Sequence, residues 1–441
     1  MSIRIVNATL PSGERADFTI DRGVFTEATS ADRTIDAGGL QALPGLVDLH
    51  THLREPGFEQ SETVLSGTRA AAMGGFTAVF PMANTMPVQD TAGVVEQVQS
   101  LGLDHGYATV RPIGAVTEGL GGVTLSEIGA MANSRANVRV FSDDGKCVHN
   151  ALLMRRALEY VKTFDGVVAQ HAQEPTLTVD AQMNEGAVSS ELGLAGWPAV
   201  AEESIIARDV LLAEHVGARL HICHLSTAGS VDVIRWAKAR GIAVTAEVTP
   251  HHLLLTEELV RGYDARFKVN PPLRRDEDVH ALRAALADGT IDIVATDHAP
   301  HPPEAKECSW AEAAFGMVGL ESALNVVQQA VVDTGQLDWA DVARVLSQKP
   351  AEIGRLDGYA TPFALGSPAN LVLVDPSART TFSTESLRGK STNSPYLGRE
   401  LPGRVMTTIH NGYETVRDGE VVDAAEVAEQ ARTAESEANR G

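Results

Sequence analysis

A chain of 441 residues is long enough for one large domain and a smaller one around a sizeable core. With 44% hydrophobic and 21% charged residues it has the composition of a soluble globular enzyme, and no stretch approaches the ~20 apolar residues of a membrane span. A formal net charge of −22 repels phosphate and argues against a nucleic-acid partner, while the separated Cys147, Cys223 and Cys308 form no CxxC pair and no disulfide framework.

Met1–Ile5 carries no cationic region leading into a long apolar run, so no secretory signal is visible and a reducing cytoplasm is the expected setting. Residues 1–43 contain short runs such as Ile3–Ala8, broken by Gly, Asp and Asn turns. From residue 44 onward, short β-branched runs alternate with longer Ala/Leu/Glu-rich segments. Strands are expected at Gly45–Leu53, Phe76–Met82, Thr109–Val116, Val138–Asp144, Gly166–Ala172, Arg219–Leu225, Ala243–Thr249 and Asp292–Asp297. Helices are expected between them, among others at Glu62–Met73, Asn150–Thr163, Glu202–His215, Ser230–Arg240, Val279–Ala287 and Leu320–Asp333. Alternation of this kind implies βα units and parallel strands, and eight of them suit a closed barrel better than a doubly wound sheet. Residues 365–441 return to short runs, Asn370–Val374 among them, with turn signals at Asn411-Gly412 and Asp418-Gly419. The two ends share one character, which suggests a small β domain (1–43 with 365–441) beside a central domain (44–364). Ala424–Gly441 reads as a helix or a frayed tail.

The notable polar residues of the centre fall at the C-terminal ends of the expected strands, the face where the loops of an α/β barrel converge. His50 and His52 lie two apart and so share a face, a spacing that suits a divalent metal such as zinc. His171 and His224 end two further runs. The pleat separates His221 from His224 and makes it a packing or supporting residue. Asp297 ends the run Ile293–Asp297, where a carboxylate near a metal can be both ligand and proton carrier. Of the neighbours Asp143 and Asp144, parity weakly favours Asp144 as the inward one, although an Asp-Gly turn fits that sequence equally well. Four histidines and two carboxylates can make a two-metal site able to hydrolyse an unreactive amide with no covalent nucleophile. There is no GxSxG elbow.

With these residues in place the chain resembles the type I dihydroorotases of the amidohydrolase superfamily. The resemblance rests on Pro44–Gly57 with its HLREPG run, Pro81–Thr85, Ala246–Leu253, Lys268–Arg274, the ATDHAPH run Ala295–His301, and Phe315-Gly316. It implies a distorted (β/α)8 TIM-like barrel with a small β-sandwich from both termini. It also implies reversible interconversion of dihydroorotate and N-carbamoyl-L-aspartate in pyrimidine biosynthesis. By this resemblance His50 and His52 hold one zinc ion with Asp297, which is also the catalytic base; His171 and His224 hold a second; Asp144 bridges them. One or two ions are compatible, two being favoured. His52, Leu53, Arg54, Asn84, Asn270 and His301, with the backbone of Phe315 and Gly316, are implied to hold the substrate. A bridging aspartate in place of a carboxylated lysine separates the chain from hydantoinases and allantoinases, which remain the rival enzymes. A non-catalytic scaffold is the rival of another class. A homo-oligomer, alone or in complex with aspartate transcarbamoylase, is the expected assembly.

Overall fold

The computed structural model describes residues 2–359 and 361–438. Its strands are, at the N-terminal end, β1 (Ile3–Thr9), β2 (Arg15–Asp21), β3 (Val24–Thr26), β4 (Arg33–Asp36) and β5 (Gln41–Pro44). In the centre lie β6 (Leu46–Thr51), β7 (Phe76–Pro81), β8 (Thr109–Val110), β9 (Val140–Phe141), β10 (Val167–Gln170), β11 (Met183–Asn184), β12 (Gly196–Trp197), β13 (Leu220–Ile222), β14 (Val244–Val248) and β15 (Ile293–Val294). The C-terminal end supplies β16 (Leu371–Thr381), β17 (Glu400–His410), β18 (Tyr413–Arg417) and β19 (Glu420–Val421).

All eight expected central strands are present, shortened at their ends, and all pair in parallel. They form two sheets, β6-β7-β8 and β9-β10-β13-β14-β15. Hydrogen bonds continue the order across both seams. Gly114 N donates to Val140 O and Ser142 N to Gly114 O beside β9; Asp297 N donates to His50 O and His52 N to His298 O beside β6. The strand–helix alternation therefore makes an α/β architecture in which the strand order returns to its start.

Alternate residues of these strands separate into two apolar layers, as the period of two requires. Val47, Leu49, Ala78, Phe80, Ile113, Val140, Val167, Ala169, Ile293 and Ala295 pack together on the inner side. Leu46, Val79, Val168, Leu220, Ile222 and Val248 face the helices. The helices present matching stripes: Ala151–Val161 buries Met154, Ala157, Leu158 and Val161, at i, i+3, i+4 and i+7. Their starts are set by side chains that satisfy orphan N–H groups. Asn150 accepts from Leu152 N and Leu153 N, Thr227 caps Ala228–Ala239, and Thr63 with Ser66 forms a capping box on Val64–Met73.

The two chain ends meet in one nine-strand network, in the order β19-β18-β17-β16-β5-β1-β2-β3 with β4 beside β1. Its join is β5 against β16, where Pro44 opposes Leu371 and Gln41 opposes Val374. Ile3, Ile5, Ile20, Phe25, Leu371, Leu373 and Ile409 form its core. The join also anchors β6, because Gly45 N donates to Asn370 O just before the strand that carries the paired histidines. The C-terminal stretch is a helix, Ala424–Ala438; Gly441 lies outside the described residues.

Candidate active site

His50 is the penultimate residue of β6, and His52 follows directly after the strand. His50 Nδ1 lies 2.5 Å from Glu247 Oε1, and His52 Nδ1 lies 2.9 Å from Asn84 Oδ1. Each contact requires an Nδ1–H donor, which leaves each Nε2 as a lone pair. Those lone pairs point at carboxylates: His50 Nε2 is 3.4 Å from Asp144 Oδ2 and 3.5 Å from Asp297 Oδ1, and His52 Nε2 is 3.5 and 3.1 Å from the same two atoms.

The same polarity repeats on the other side. His171 Nε2 donates to Gln173 Oε1 at 2.8 Å, so Nδ1 is the lone pair. It sits 3.0 Å from Asp144 Oδ1 and 2.9 Å from His224 Nε2, which itself is 3.2 Å from Asp144 Oδ1. Asp144 therefore turns one oxygen to each histidine pair. His50, His52 and Asp144, and Asp144, His171 and His224, each gather their ligand atoms within 4.8 Å.

Lone pairs facing carboxylates, all buried, are repulsive unless a cation lies between them. His50 Nε2 moreover has no hydrogen-bond partner. The donor set of imidazole nitrogens and carboxylate oxygens is the chemistry that zinc takes. Without an ion the surroundings do what they can with protons. Burial favours a neutral carboxyl, but an Nε2–H on His52, a second proton beyond the Nδ1–H above, and the charge of a likewise doubly protonated His50 hold Asp297 at about 2. Asp144 is likewise held well below its ordinary range, since His50, His171 and His224 outweigh its burial.

Backbone strain at the strand ends aims several of these groups. Arg54, His224 and Asp297 have φ of +63°, +32° and +46°, a left-handed region that ordinary residues adopt only under tertiary constraint. For His224 this has a specific consequence. β13 stops at Ile222, so the pleat that was to send His221 and His224 to opposite faces does not extend to His224. The two side chains nevertheless part as the supporting role of His221 requires: His221 Nε2 lies 3.0 Å from Glu247 Oε2, behind His50, while the His224 imidazole joins Asp144 and His171 and only its backbone N donates to Glu247 Oε1, at 3.1 Å. Both histidines thus engage one carboxylate. Asp143 points away and accepts from Val116 N and Thr117 N, at 2.8 and 3.0 Å.

Above the histidines opens a cavity of about 280 Å³ lined by His52, Arg54, Asn84, Asp144, His171, Asn270, Asp297, His301, Phe315 and Gly316, among others. Arg54 donates from Nε to Pro300 O at 3.2 Å and, among the described residues, makes no salt bridge. Burial pushes its guanidinium down to about 10, opposed by Asp297, Asp144 and Glu62, so it remains cationic at neutral pH. Asn270 donates to Gln173 Oε1 at 3.1 Å and leaves Oδ1 buried without a partner. His301 is held neutral, at about 3, by burial and by the charges of Arg54 and Lys306. Its Nε2–H reaches Phe315 O at 2.8 Å. Gly316 N is also engaged, to Lys268 O at 2.9 Å. Gly316 has φ +131°, and a Cβ there would lie 2.8 Å from Ala299 Cβ and 2.9 Å from His301 Nε2. Leu53 does not line the cavity; its side chain is buried in the outer core, over Gly67.

Two residues that sequence reasoning passed over stand directly behind the imidazoles. Glu247, fully buried on β14, orients His50 and His221 and accepts from His224 N. Gln173 accepts from both His171 and Asn270. A carboxylate inside the apolar run Val244–Val248 was the available signal for the first. For Gln173, two residues beyond His171 in a polar loop, there was none.

A parallel α/β fold with buried histidines and carboxylates gathered at one strand-end face is the layout of a metal-dependent hydrolase. In fold the chain is similar to the dihydropyrimidinase from Brevibacillus agri, at TM-score 0.83 and 23% identity over 97% of each chain. It is similar also to the L-hydantoinase (dihydropyrimidinase) from Arthrobacter aurescens, at TM-score 0.84 and 24% identity over 96% and 97%. A "Dihydro-orotase-like" family model matches residues 39–230. The dihydroorotase of Leifsonia xyli subsp. xyli is 73% identical over 95% of this chain and 97% of its own, and that of Mycobacterium tuberculosis 52% over 93% and 96%. The chain belongs to the dihydroorotase family.

Proposed function

We propose that this protein is a zinc-dependent cyclic amide hydrolase that interconverts dihydroorotate and N-carbamoyl-L-aspartate in de novo pyrimidine biosynthesis. The observation that carries the reading is the Arg54 guanidinium, without a salt bridge among the described residues, sharing one cavity with a carboxylate that turns an oxygen to each of two histidine pairs. The substrate is an anion whose reacting group is an unactivated ring amide, so it needs a cationic grip and an electrophilic centre side by side.

We read His50, His52 and Asp297 as ligands of one zinc, His171 and His224 as ligands of a second, and Asp144 as their shared ligand. Bound there, zinc supplies Lewis acidity for the ring carbonyl and makes water nucleophilic near neutral pH. Asp297, ionised at rest, takes the proton of the attacking water and delivers it to the departing ring nitrogen, and closure retraces that path. Arg54 grips the substrate carboxylate through paired hydrogen bonds, with Asn84, Asn270 and His301 completing the contacts. Asn84 has a second duty, since its Oδ1 fixes the tautomer of His52. Glu247 does the same for His50.

In architecture we read the closed strand order as a distorted (β/α)8 barrel spanning 44–364, and the network from 1–43 and 365–441 as a β-sandwich folded over its own core. We further read the chain as a cytoplasmic homo-oligomer, able to associate with aspartate transcarbamoylase; among the described residues no helix is long and apolar enough to cross a membrane. The discriminating experiment is a substrate panel. Dihydroorotate should turn over far faster than dihydrouracil, hydantoin or allantoin, and preference for a ring without the carboxylate would overturn the assignment.

A further inference from the structure

The segment 302–316, which contains the short helix Pro303–Lys306, ends in Phe315-Gly316 and through these two residues forms part of the cavity wall. Two lysines are buried there, Lys306 on the segment itself at 7% exposure and Lys268 behind it at 2%. Neither forms a salt bridge with a carboxylate among the described residues. Instead, Lys306 Nζ donates to three backbone carbonyls, Ala265 O at 2.8 Å, Lys268 O at 3.1 Å and Ala314 O at 2.7 Å. Lys268 Nζ donates to Trp310 O at 2.6 Å and Ala311 O at 3.3 Å, and sits 4.5 Å from the centre of the Phe315 ring.

An ammonium has three N–H donors, and in Lys306 all three meet carbonyl oxygens. The acceptors are not arbitrary. Ala314 lies on the segment, next to Phe315, whereas Ala265 and Lys268 belong to the chain that leads into Asn270. One side chain thus ties the end of the segment to the cavity's other wall, and Lys268 ties its middle. Lys268 O takes a further bond from Gly316 N at 2.9 Å, so the same peptide fixes both Lys306 and the last residue of the wall. Burial and the charge of Lys268 push Lys306 down to about 7, so holding this cation is unfavourable and the fixed carbonyl dipoles have to offset it. Apolar packing would have anchored a loop without that cost. Directional bonds instead specify where Ala314–Gly316 must lie, and at Gly316 any side chain would run into Ala299 and His301.

We infer that Lys268 and Lys306 are positioning residues that clamp segment 302–316 as a fixed wall, holding Phe315, Gly316 and His301 in the arrangement that binds substrate. The segment is therefore no lid that opens at each turnover. This rests on the dihydroorotase reading for the identity of the substrate. Because the wall contacts substrate before and during reaction alike, loosening it raises KM and spares kcat.

The test compares full-length, zinc-loaded wild type with Lys306→Met and Lys268→Met, by steady-state kinetics on dihydroorotate and by hydrogen exchange of the 302–316 amides. Wild-type amides of the segment should exchange slowly. Each variant should exchange them at least tenfold faster and raise KM at least tenfold, with kcat within threefold and zinc content unchanged. If Lys306→Met does not fold, Lys268→Met carries the same expectations. Unchanged exchange in the variants, or faster exchange with unaltered KM, overturns the clamp. So does a lower kcat with KM intact. A wild type inactive on dihydroorotate sinks the functional reading instead, and the exchange data then still decide the clamp.

Discussion

Replacing Arg54 by methionine isolates the recognition of the substrate carboxylate. The guanidinium sits in the cavity, makes no salt bridge among the described residues, and donates only to Pro300 O within the protein. Its removal breaks no internal ion pair, and the three carboxylates that favour its charge, Asp297, Asp144 and Glu62, lose only a through-space interaction. What is lost is a desolvated, charge-assisted pair with the substrate, worth roughly 2–5 kcal/mol, or about 30-fold to a few thousand-fold in kcat/KM. The assay is loss of dihydroorotate absorbance in the ultraviolet, with zinc content measured on the same samples. Dihydrouracil, the same ring without the carboxylate, supplies the internal control. Arg54→Met should leave its slow turnover nearly unchanged, so that discrimination between the two substrates collapses. Arg54→Lys, which keeps the charge but not the planar fork, should fall between. An unaltered specificity constant for dihydroorotate, or equal losses on both substrates, would refute this account of Arg54.

Chelation should abolish activity and zinc restore it; full turnover in a verified metal-free sample would contradict the lone-pair geometry. Because Asp144 carries its own carboxylate, reconstitution should not depend on bicarbonate, and a strong dependence would mean that another group bridges. Asp297→Asn should lower both ring opening and ring closure by about 10²–10⁴-fold, since one residue is base one way and acid the other. In the wild type, opening should rise with pH and closure fall, and parallel slopes would leave Asp297 as a ligand only. His410 supplies a stability test away from the site. Burial holds it neutral, at about 4, against the hydrogen bond to Gly106 O, so the folded state resists its protonation. Its contribution to stability is intact above the ordinary histidine pKa and declines as pH falls toward 4, by about 2 kcal/mol between pH 7 and 5. Urea midpoints for wild type and His410→Gln across that range should converge as pH drops; parallel curves would remove His410 as the cause.

The eight central strands were legible because each is buried on both faces and reads as a short apolar run with a polar residue at its end. Periodicity could not show how far each strand stays regular. β13 ends at Ile222, so the aim of His224 is set by its left-handed backbone and not by the pleat, although His221 and His224 still part, one to Glu247 and the other to Asp144 and His171. Glu247 was hidden for a related reason: a carboxylate in the middle of a strand has meaning only through the imidazoles of two other strands. Leu53 followed from a motif and not from a direction, and its side chain turns into the core. The terminal runs could be recognised as β, but their order rests on pairings between distant parts of the chain that no local pattern records.

That pairing has a consequence for synthesis. β5 and β16 meet across roughly 330 residues of sequence, so the N-terminal strands leave the ribosome long before their partner exists. Until β16 arrives, β5 presents an unsatisfied edge, a site where a nascent chain can pair with the wrong neighbour. Gly45, the residue after β5, hydrogen-bonds to Asn370, so the strand bearing the first two histidines is not fully anchored until the last part of the chain is made. A chain stopped before residue 370 should therefore aggregate, not accumulate as a smaller active enzyme. Supplying the missing strands as a separate polypeptide during synthesis should rescue it.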